Sequence, residues 1–258
     1  MLEELEKYLK SLNKVAVAFS GGIDSSFLVC FANKVLPKGN VLAIIANGQM
    51  IPRKDYNDAI EFLKENEIPY RLIPCDALVT LEFRENHKDR CYHCKKSIMT
   101  KVKEVALQEG FENVLDGNNL DDTKVYRPGH KAVEELGIIS PLEKNGFTKA
   151  DIRKYSKQIG IKFWDKPSNS CLATRFPYNT VLTNEGLEKV DRAEEIIKNL
   201  GILNLRVRVH NDIARIEVDR EDFSTILSNL EIVDELKKLG FEYVTLDLTG
   251  LQSGSFDK

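Results

Sequence analysis

The stretch NKVAVAFSGGIDSSFLVCFANKVL, residues 13–36, constrains the fold more than any other. An apolar run from Val15 to Phe19 predicts a buried strand, two glycines make a turn, and an amphipathic pattern predicts a helix from about Asp24. Strand, phosphate-sized turn and helix in that order are the opening unit of an open α/β sheet, which binds ligands at the carboxyl ends of its strands.

The rest of the chain repeats the theme. VLAIIAN (41–47), YRLIPCDA (70–77) and NVLDGN (113–118) predict further strands, with helices over roughly 53–66 and 95–109 between them. Apolar strands alternating with helices imply a parallel sheet covered on both faces, an α/β fold. DDTKVYRPGHKAVEELG and TKADIRKYSKQIG predict two more helices, and the polar, proline-interrupted FWDKPSNSCLATRFPY (163–178) an ordered loop. A helix over about 183–200, strands LRVRVH (205–210) and ARIEV (214–218), a helix over about 221–239 and strand YVTLDL (243–248) predict a small α+β domain. The expected division is residues 1–179 and 180–258.

Two glycines in Ser20-Gly21-Gly22-Ile23-Asp24-Ser25-Ser26 let backbone amides approach phosphate oxygens, and the following helix N-terminus favours negative charge. The hydroxyls of Ser20, Ser25 and Ser26 add donors, and Asp24 adds a polar group to the first helical turn. The Gly-Lys-Ser/Thr ending of a Walker A loop is missing. The structural alternative is a plain strand-to-helix turn capped by Asp24 or Ser25. SGGIDSS after a buried strand resembles the SGGxDS signature of the PP-loop ATP pyrophosphatases, and GNNLDD (117–122), beginning at Gly117, resembles their second loop. The resemblance covers about residues 14–130. It implies Mg2+-dependent ATP cleavage between the α and β phosphates, with AMP placed on a substrate oxygen. Asp121 and Asp122 are also compatible with a solvated helix start.

Five cysteines, Cys30, Cys75, Cys91, Cys94 and Cys171, are an odd number. With no export signal and no long apolar run at hand, a cytoplasmic protein without a disulfide framework is expected, not a membrane protein. Cys30 in FLVCFA and Cys75 after Pro74 suit buried positions. RCYHCKK places Cys91 and Cys94 in a C-x-x-C turn, with Cys171 about eighty residues later. Three thiolates suffice to hold a cluster by three irons. Zinc would call for a fourth ligand, for which His93 and His87 are at hand, and redox or incidental thiols are further alternatives.

The loop Pro167 to Tyr178, together with SGGIDSS, DGNNLDD followed by Tyr126-Arg127-Pro128-Gly129, and LDLTGLQSGS, resembles the LarE family over nearly the whole chain. Members adenylate a carboxylate of pyridinium-3,5-biscarboxylic acid mononucleotide and install sulfur there, which serves the nickel-pincer cofactor of lactate racemase. In one branch the cysteine matching Cys171 gives up its own sulfur and ends as dehydroalanine. In the other, a trio matching Cys91, Cys94 and Cys171 holds a 4Fe-4S cluster whose open iron can carry a sulfide from an external sulfur donor. The resemblance also implies a trimer-based homo-oligomer.

A substrate with a phosphate and two carboxylates needs fixed cations, preferably guanidinium groups. Arg175 and Arg127 are candidates, and Arg206 and Arg208 alternate with valines so that both point to one sheet face. A solvated face is the plainer alternative. Glu217 can pair with them or touch a metal, while Phe163 and Trp164 suit packing. A PP-loop tRNA thiolase is the enzymatic rival, but a net charge of -3 and an acidic stretch after residue 180 argue against a polyanion partner. A non-catalytic nucleotide sensor is the rival from another class, and it leaves the paired cysteines without a role.

Overall fold

The computed structural model describes residues 1–124, 128–167, 169–252, 254 and 256. In chain order the elements begin with α1 (Leu2–Leu12), β1 (Val15–Ala18), α2 (Ile23–Val35), β2 (Val41–Asn47), α3 (Arg53–Glu65) and β3 (Tyr70–Pro74). There follow α4 (Leu81–Arg84), α5 (Arg90–Gln108), β4 (Asn113–Leu115), α6 (Pro128–Glu135), α7 (Pro141–Lys144) and α8 (Lys149–Gln158). The last are α9 (Asn184–Lys198), β5 (Leu205–His210), β6 (Ile213–Val218), α10 (Phe223–Ser228), α11 (Glu231–Lys238) and β7 (Tyr243–Leu246).

The chain divides into two compact units. The first takes residues 1–48, 53–80 and 89–168 and is built on a four-stranded sheet of order β3-β2-β1-β4, with every pairing parallel. Ala16, Leu42, Ile44 and Val114 bury one face of that sheet against Met99, Val102 and Ala106 of α5 and Val133 of α6. Alternation sends Val15, Val17, Val41 and Ala43, all buried, to the other face. Behind α2, Phe27 lies 5.8 Å from Phe147 and 6.3 Å from Tyr155 of α8. Apolar side chains on both faces are what a sheet flanked by helices requires. The chain runs from β1 outward through β2 and β3, then returns to place β4 on the other side of β1. That reversal opens a crevice at the carboxyl ends of β1 and β4.

The second unit takes residues 49–52, 81–88 and 169–258. Its three-stranded sheet, order β5-β6-β7, is mixed: β5 and β6 are antiparallel, β6 and β7 parallel. Leu205, Val207, Ala214, Ile216 and Val218 pack from one face onto Ala193 and Ile197 of α9 and Ile232 and Leu236 of α11.

Three boundaries differ from the sequence expectation. The long segment of the second unit starts at Asn169 instead of after 179, because the cysteine loop is tied to that unit by hydrogen bonds. Leu172 N–H donates to Met50 O (2.9 Å), Asn86 Nδ2 to Pro177 O (2.7 Å), and Arg175 pairs with Glu194 of α9. Helix α5 starts at Arg90, so Cys91 and Cys94 lie inside its first two turns and not in a turn ahead of it. Gly129 of α6 lies against this turn, where a Cβ would make ordinary contact with Lys95 Cβ at 3.4 Å and Cys91 O at 3.6 Å. The helix expected over 221–239 breaks at Asn229, whose Nδ2 caps Thr225 O at 2.7 Å and competes with the backbone ladder.

Candidate functional site

The turn after β1 is ordered by its own serines. Ser25 Oγ accepts from Ser20 N–H (3.3 Å), lies 3.1 Å from Ser20 Oγ and donates to Gly22 O (3.0 Å). Gly21 has φ +73°, and a Cβ on it would stand 2.7 Å from Ala59 Cβ, so the turn passes α3 at a distance only glycine allows. Gly22 is the N-cap of α2 and offers no side-chain cap, which leaves first-turn amides for a ligand. Ser26 is fully buried, and its Oγ has no hydrogen-bond partner among the described residues.

The second loop meets the first directly. A Cβ on Gly117 would lie 2.9 Å from Ser25 N and 3.2 Å from Ser25 Cα. Asp116, almost fully buried, accepts from Ser140 Oγ (2.7 Å) and Asn118 N–H (3.2 Å), which fixes the loop to the end of β4. Asp122 closes a turn by accepting from Asn119 N–H at 3.1 Å, a structural role. Asp121 differs: it accepts from Lys124 Nζ (2.8 Å) and from Lys149 N–H (2.9 Å), and these bonds, the first above all, hold its carboxyl below the usual range. Lys149 Nζ in turn lies 2.5 Å from Asp24 Oδ2. Lys149 went unmarked in the sequence. The available signal was a lysine at the first position of a helix, where the dipole repels cations unless an anion stands there.

In the second unit the arginines form one buried ionic cluster. Arg175 and Glu194 have no exposed side-chain surface and are paired twice, Nε to Oε1 at 2.7 Å and Nη2 to Oε2 at 2.9 Å. Arg175 Nη1 adds bonds to Ser170 O (2.9 Å) and Thr174 Oγ1 (2.9 Å). The expectation that Arg175 reaches a substrate therefore gives way to a role inside the fold, holding the cysteine loop on α9. Arg127 lies outside the described residues.

Arg206, Arg208, Glu217 and Arg215 share one sheet face, with Arg206 opposite Glu217 and Arg208 opposite Arg215. Glu217 accepts from Arg208 Nε (3.0 Å) and Arg215 Nη2 (2.8 Å), so it pairs with arginine as the sequence allowed. Arg208 Nη1 also donates to Thr174 O at 2.6 Å, and the Phe256 ring covers Arg208 and Arg215 at 5.3 and 5.7 Å. Burial, with Arg175 and Arg208 nearby, pulls Arg206 down to about 10. Excess positive charge in a half-buried place is what a bound phosphate would relieve.

Cys91 is exposed, Cys94 and Cys171 are half-buried, and none of the five cysteines is in a disulfide. Three residues apart on one helical turn, Cys91 and Cys94 present their sulfurs to one side. Cys171 belongs to the other unit. The histidines considered for zinc have acidic partners: His93 Nε2 lies 3.3 Å from Asp89 Oδ2, and His87 Nε2 3.0 Å from Glu85 Oε2. Three soft sulfurs suit an iron–sulfur cluster by donor chemistry, but among the described residues no group of three or more His, Cys, Asp or Glu is arranged to hold a metal ion. Burial raises the Cys30 thiol to about 12 and also raises Cys75, which removes both from thiolate chemistry at neutral pH. Phe163 packs edge-on against Phe62 at 5.2 Å, an anchor as expected.

A parallel sheet with flanking helices and a glycine turn aimed into its switch point define an ATP-dependent α/β enzyme of the PP-loop class. A family model described as NAD synthase matches residues 1–107. Over 247 residues the chain is 37% identical to the pyridinium-3,5-bisthiocarboxylic acid mononucleotide synthase of Lactiplantibacillus plantarum, covering 95% of this chain and 90% of that one. An uncharacterized protein of Synechocystis sp. is 35% identical over 260 residues, 100% of this chain and 97% of its own. The glutamine-dependent NAD(+) synthetase of Aquifex aeolicus is 33% identical over 78 residues, 30% of this chain and 14% of its own. The chain belongs to the pyridinium-3,5-bisthiocarboxylic acid mononucleotide synthase (LarE) family. Among the described residues no helix is long and apolar enough to cross a membrane.

Proposed function

We propose that the protein uses ATP to adenylate a carboxylate of pyridinium-3,5-biscarboxylic acid mononucleotide and then replaces its oxygen with sulfur. The observation that carries the reading is the uncapped N-terminus of α2 at the β1/β4 crevice, with Gly117 set against the Ser25 amide. Ser20, Gly21, Gly22, Asp24, Ser25, Ser26 and Gly117 bind the nucleotide, and Mg2+ accompanies its phosphates. The substrate carboxylate oxygen attacks the α-phosphorus and pyrophosphate leaves. A sulfide sulfur then attacks the acyl carbon, and AMP departs with the former carboxylate oxygen. A carboxylate is a poor electrophile until it has such a leaving group.

Arg206 and Arg208 bind the substrate phosphate, supported by the excess positive charge on their sheet face. Cys91, Cys94 and Cys171 would hold a 4Fe-4S cluster, which when bound supplies an open iron for the transferable sulfide. An external sulfide donor then spares the Cys171 sulfur.

Anaerobic incubation with ATP, the biscarboxylic substrate and sulfide tests the assignment. The expected result is one AMP, one pyrophosphate and one thiocarboxylate per turnover, with the mass of Cys171 unchanged. Formation of ADP and phosphate would remove the adenylation step. Dehydroalanine at Cys171 once per sulfur, with Cys91→Ala still active, would replace the cluster with sacrificial transfer.

A further inference from the structure

The outer face of the second unit's sheet carries polar groups beyond the two arginines assigned above to phosphate. Strand register sets Arg206, Arg208 and His210 of β5 beside Glu217, Arg215 and Ile213 of β6, and Arg215 beside Thr245 of β7. At the end of this face away from Arg206, the chain that leaves β7 comes back over the sheet. Gly250, at φ +81°, makes the turn: its N–H donates to Asp247 O (3.0 Å), and Leu251 N–H donates to Val218 O (2.9 Å). Phe256 then covers three side chains, its ring lying 5.3 Å from the Arg208 guanidinium, 5.7 Å from that of Arg215 and 5.4 Å from the His210 ring. Arg208 Nη2 also reaches Gln252 O at 3.4 Å.

What the ring covers is incompletely satisfied. Arg215 Nε and His210 Nε2 are buried, and neither has a hydrogen-bond partner among the described residues. The terminal nitrogens of Arg215 turn instead to carboxylates, Nη2 to Glu217 Oε1 at 2.8 Å and Nη1 to Asp247 Oδ2 at 3.6 Å. An aromatic face attracts a guanidinium, but that contact is worth less than the hydrogen bonds it denies to two buried polar atoms. An oxyanion in the place of the ring would accept from Arg215 Nε, from Arg208, and from His210 Nε2 when that nitrogen carries the proton. Burial, then Arg215 and Arg208, hold the His210 pKa down against Glu217, and an arriving anion acts in the opposite direction.

We propose, resting on the reading of the arginine face given above, that Arg215 and His210 complete with Arg208 the seat of the substrate phosphate, and that Phe256 holds this seat until the phosphate displaces it. The ring and the phosphate take the same cations, so closing and binding exclude each other. Time spent closed lowers the apparent affinity by the closed fraction. The seat thereby selects for the phosphate: a nucleoside without it has no charge with which to displace the ring. No covalent step is involved.

Phe256→Ala tests it, because removing a side chain is here expected to strengthen binding. Inorganic phosphate and the mononucleotide substrate, titrated by calorimetry, should each bind Phe256→Ala about three- to tenfold more tightly than wild type, since no closed state competes. Phe256→Trp, a better partner for guanidinium, should bind neither more tightly than wild type. Arg215→Gln should weaken both ligands about tenfold, the worth of one charged hydrogen bond. By proton NMR the His210 pKa should rise toward its ordinary value in Phe256→Ala, and should rise in wild type when phosphate is added. Phosphate should compete with the substrate. Thermal melting of each variant separates these effects from a loss of fold. Equal or weaker binding by a folded Phe256→Ala, or phosphate that binds without displacing substrate, would overturn the proposal and leave the arginine face standing. Substrate affinity unchanged in Arg206→Ala would take down the reading of the face, and the proposal with it.

Discussion

The turn after β1 and the arginine face of the second unit offer hydrogen-bond donors of opposite kinds. Around Ser20 to Ser26 the donors are backbone amides, and side chains only shape the turn: Ser25 ties it and Gly21 lets it pass Ala59. In the second unit the donors are guanidinium groups, buried or half-buried beside carboxylates. Arg175 pairs with Glu194 and Arg208 with Glu217, and burial, with Arg175 and Arg208 nearby, lowers Arg206. A backbone site should fail by steric displacement and a buried ionic site by loss of a partner, which gives each region its own mutational signature.

The largest effect is expected at Glu194. It accepts two bonds from Arg175 and one from Val207 N–H at 3.0 Å, so Glu194→Ala strands a charge with no exposed surface. The expected cost is about 3–5 kcal/mol of stability by urea unfolding. A loss of under about 1 kcal/mol, the level of an exposed pair, would show that this ion pair is not a buried structural one.

Next is Gly21→Ala, where positive φ and the 2.7 Å approach to Ala59 Cβ force the turn to move. Pyrophosphate release should drop about 100-fold, the scale of an ångström displacement. Gly22→Ala meets only Ser20 Oγ at 3.4 Å and should stay within about threefold of wild type. Equal losses at both positions would mean that the turn is not positioned by the contact with α3.

A smaller effect should separate the regions functionally. Arg206→Ala should weaken substrate binding about tenfold, the worth of one charged hydrogen bond, with ATP affinity unchanged by calorimetry. Equal losses for both ligands would break the division of labour between loop and arginines.

The smallest concerns His210 at the end of β5. Burial, then Arg215 and Arg208, push its pKa down, Glu217 opposes them, and Phe256 packs over the ring at 5.4 Å. The unfolded chain therefore binds the proton more readily, and stability is lost as pH falls from about 6.5 through the lower folded value. Unfolding midpoints of wild type should decline over that window, and His210→Gln should flatten the decline. An unaltered slope would show that His210 does not feel the arginines.

Much of the first unit was legible because its signals are local. SGGIDSS carries its own turn and helix start, and apolar runs mark β1, β2 and β4. What escaped was long-range: Lys149 reads as an ordinary helix start until α8 is packed beside α2. Arg175 looked like a substrate contact because a guanidinium in a polar loop suggests one. Glu194 held the correcting signal, a carboxylate on the same helical stripe as Leu187, Val190 and Ile197, where an apolar face asks for a paired cation. Cys91 and Cys94 were assigned to a turn because the pattern suggests it, yet α5 begins at Arg90 and runs over them.

The most direct test of the central claim follows a carboxylate oxygen. Substrate labelled with heavy oxygen in its carboxylates is turned over with ATP and sulfide, and the products are weighed by mass spectrometry. Adenylation followed by sulfur attack sends one labelled oxygen into AMP for each sulfur gained, and pyrophosphate stays unlabelled. Unlabelled AMP, or label in inorganic phosphate beside ADP, would contradict the account.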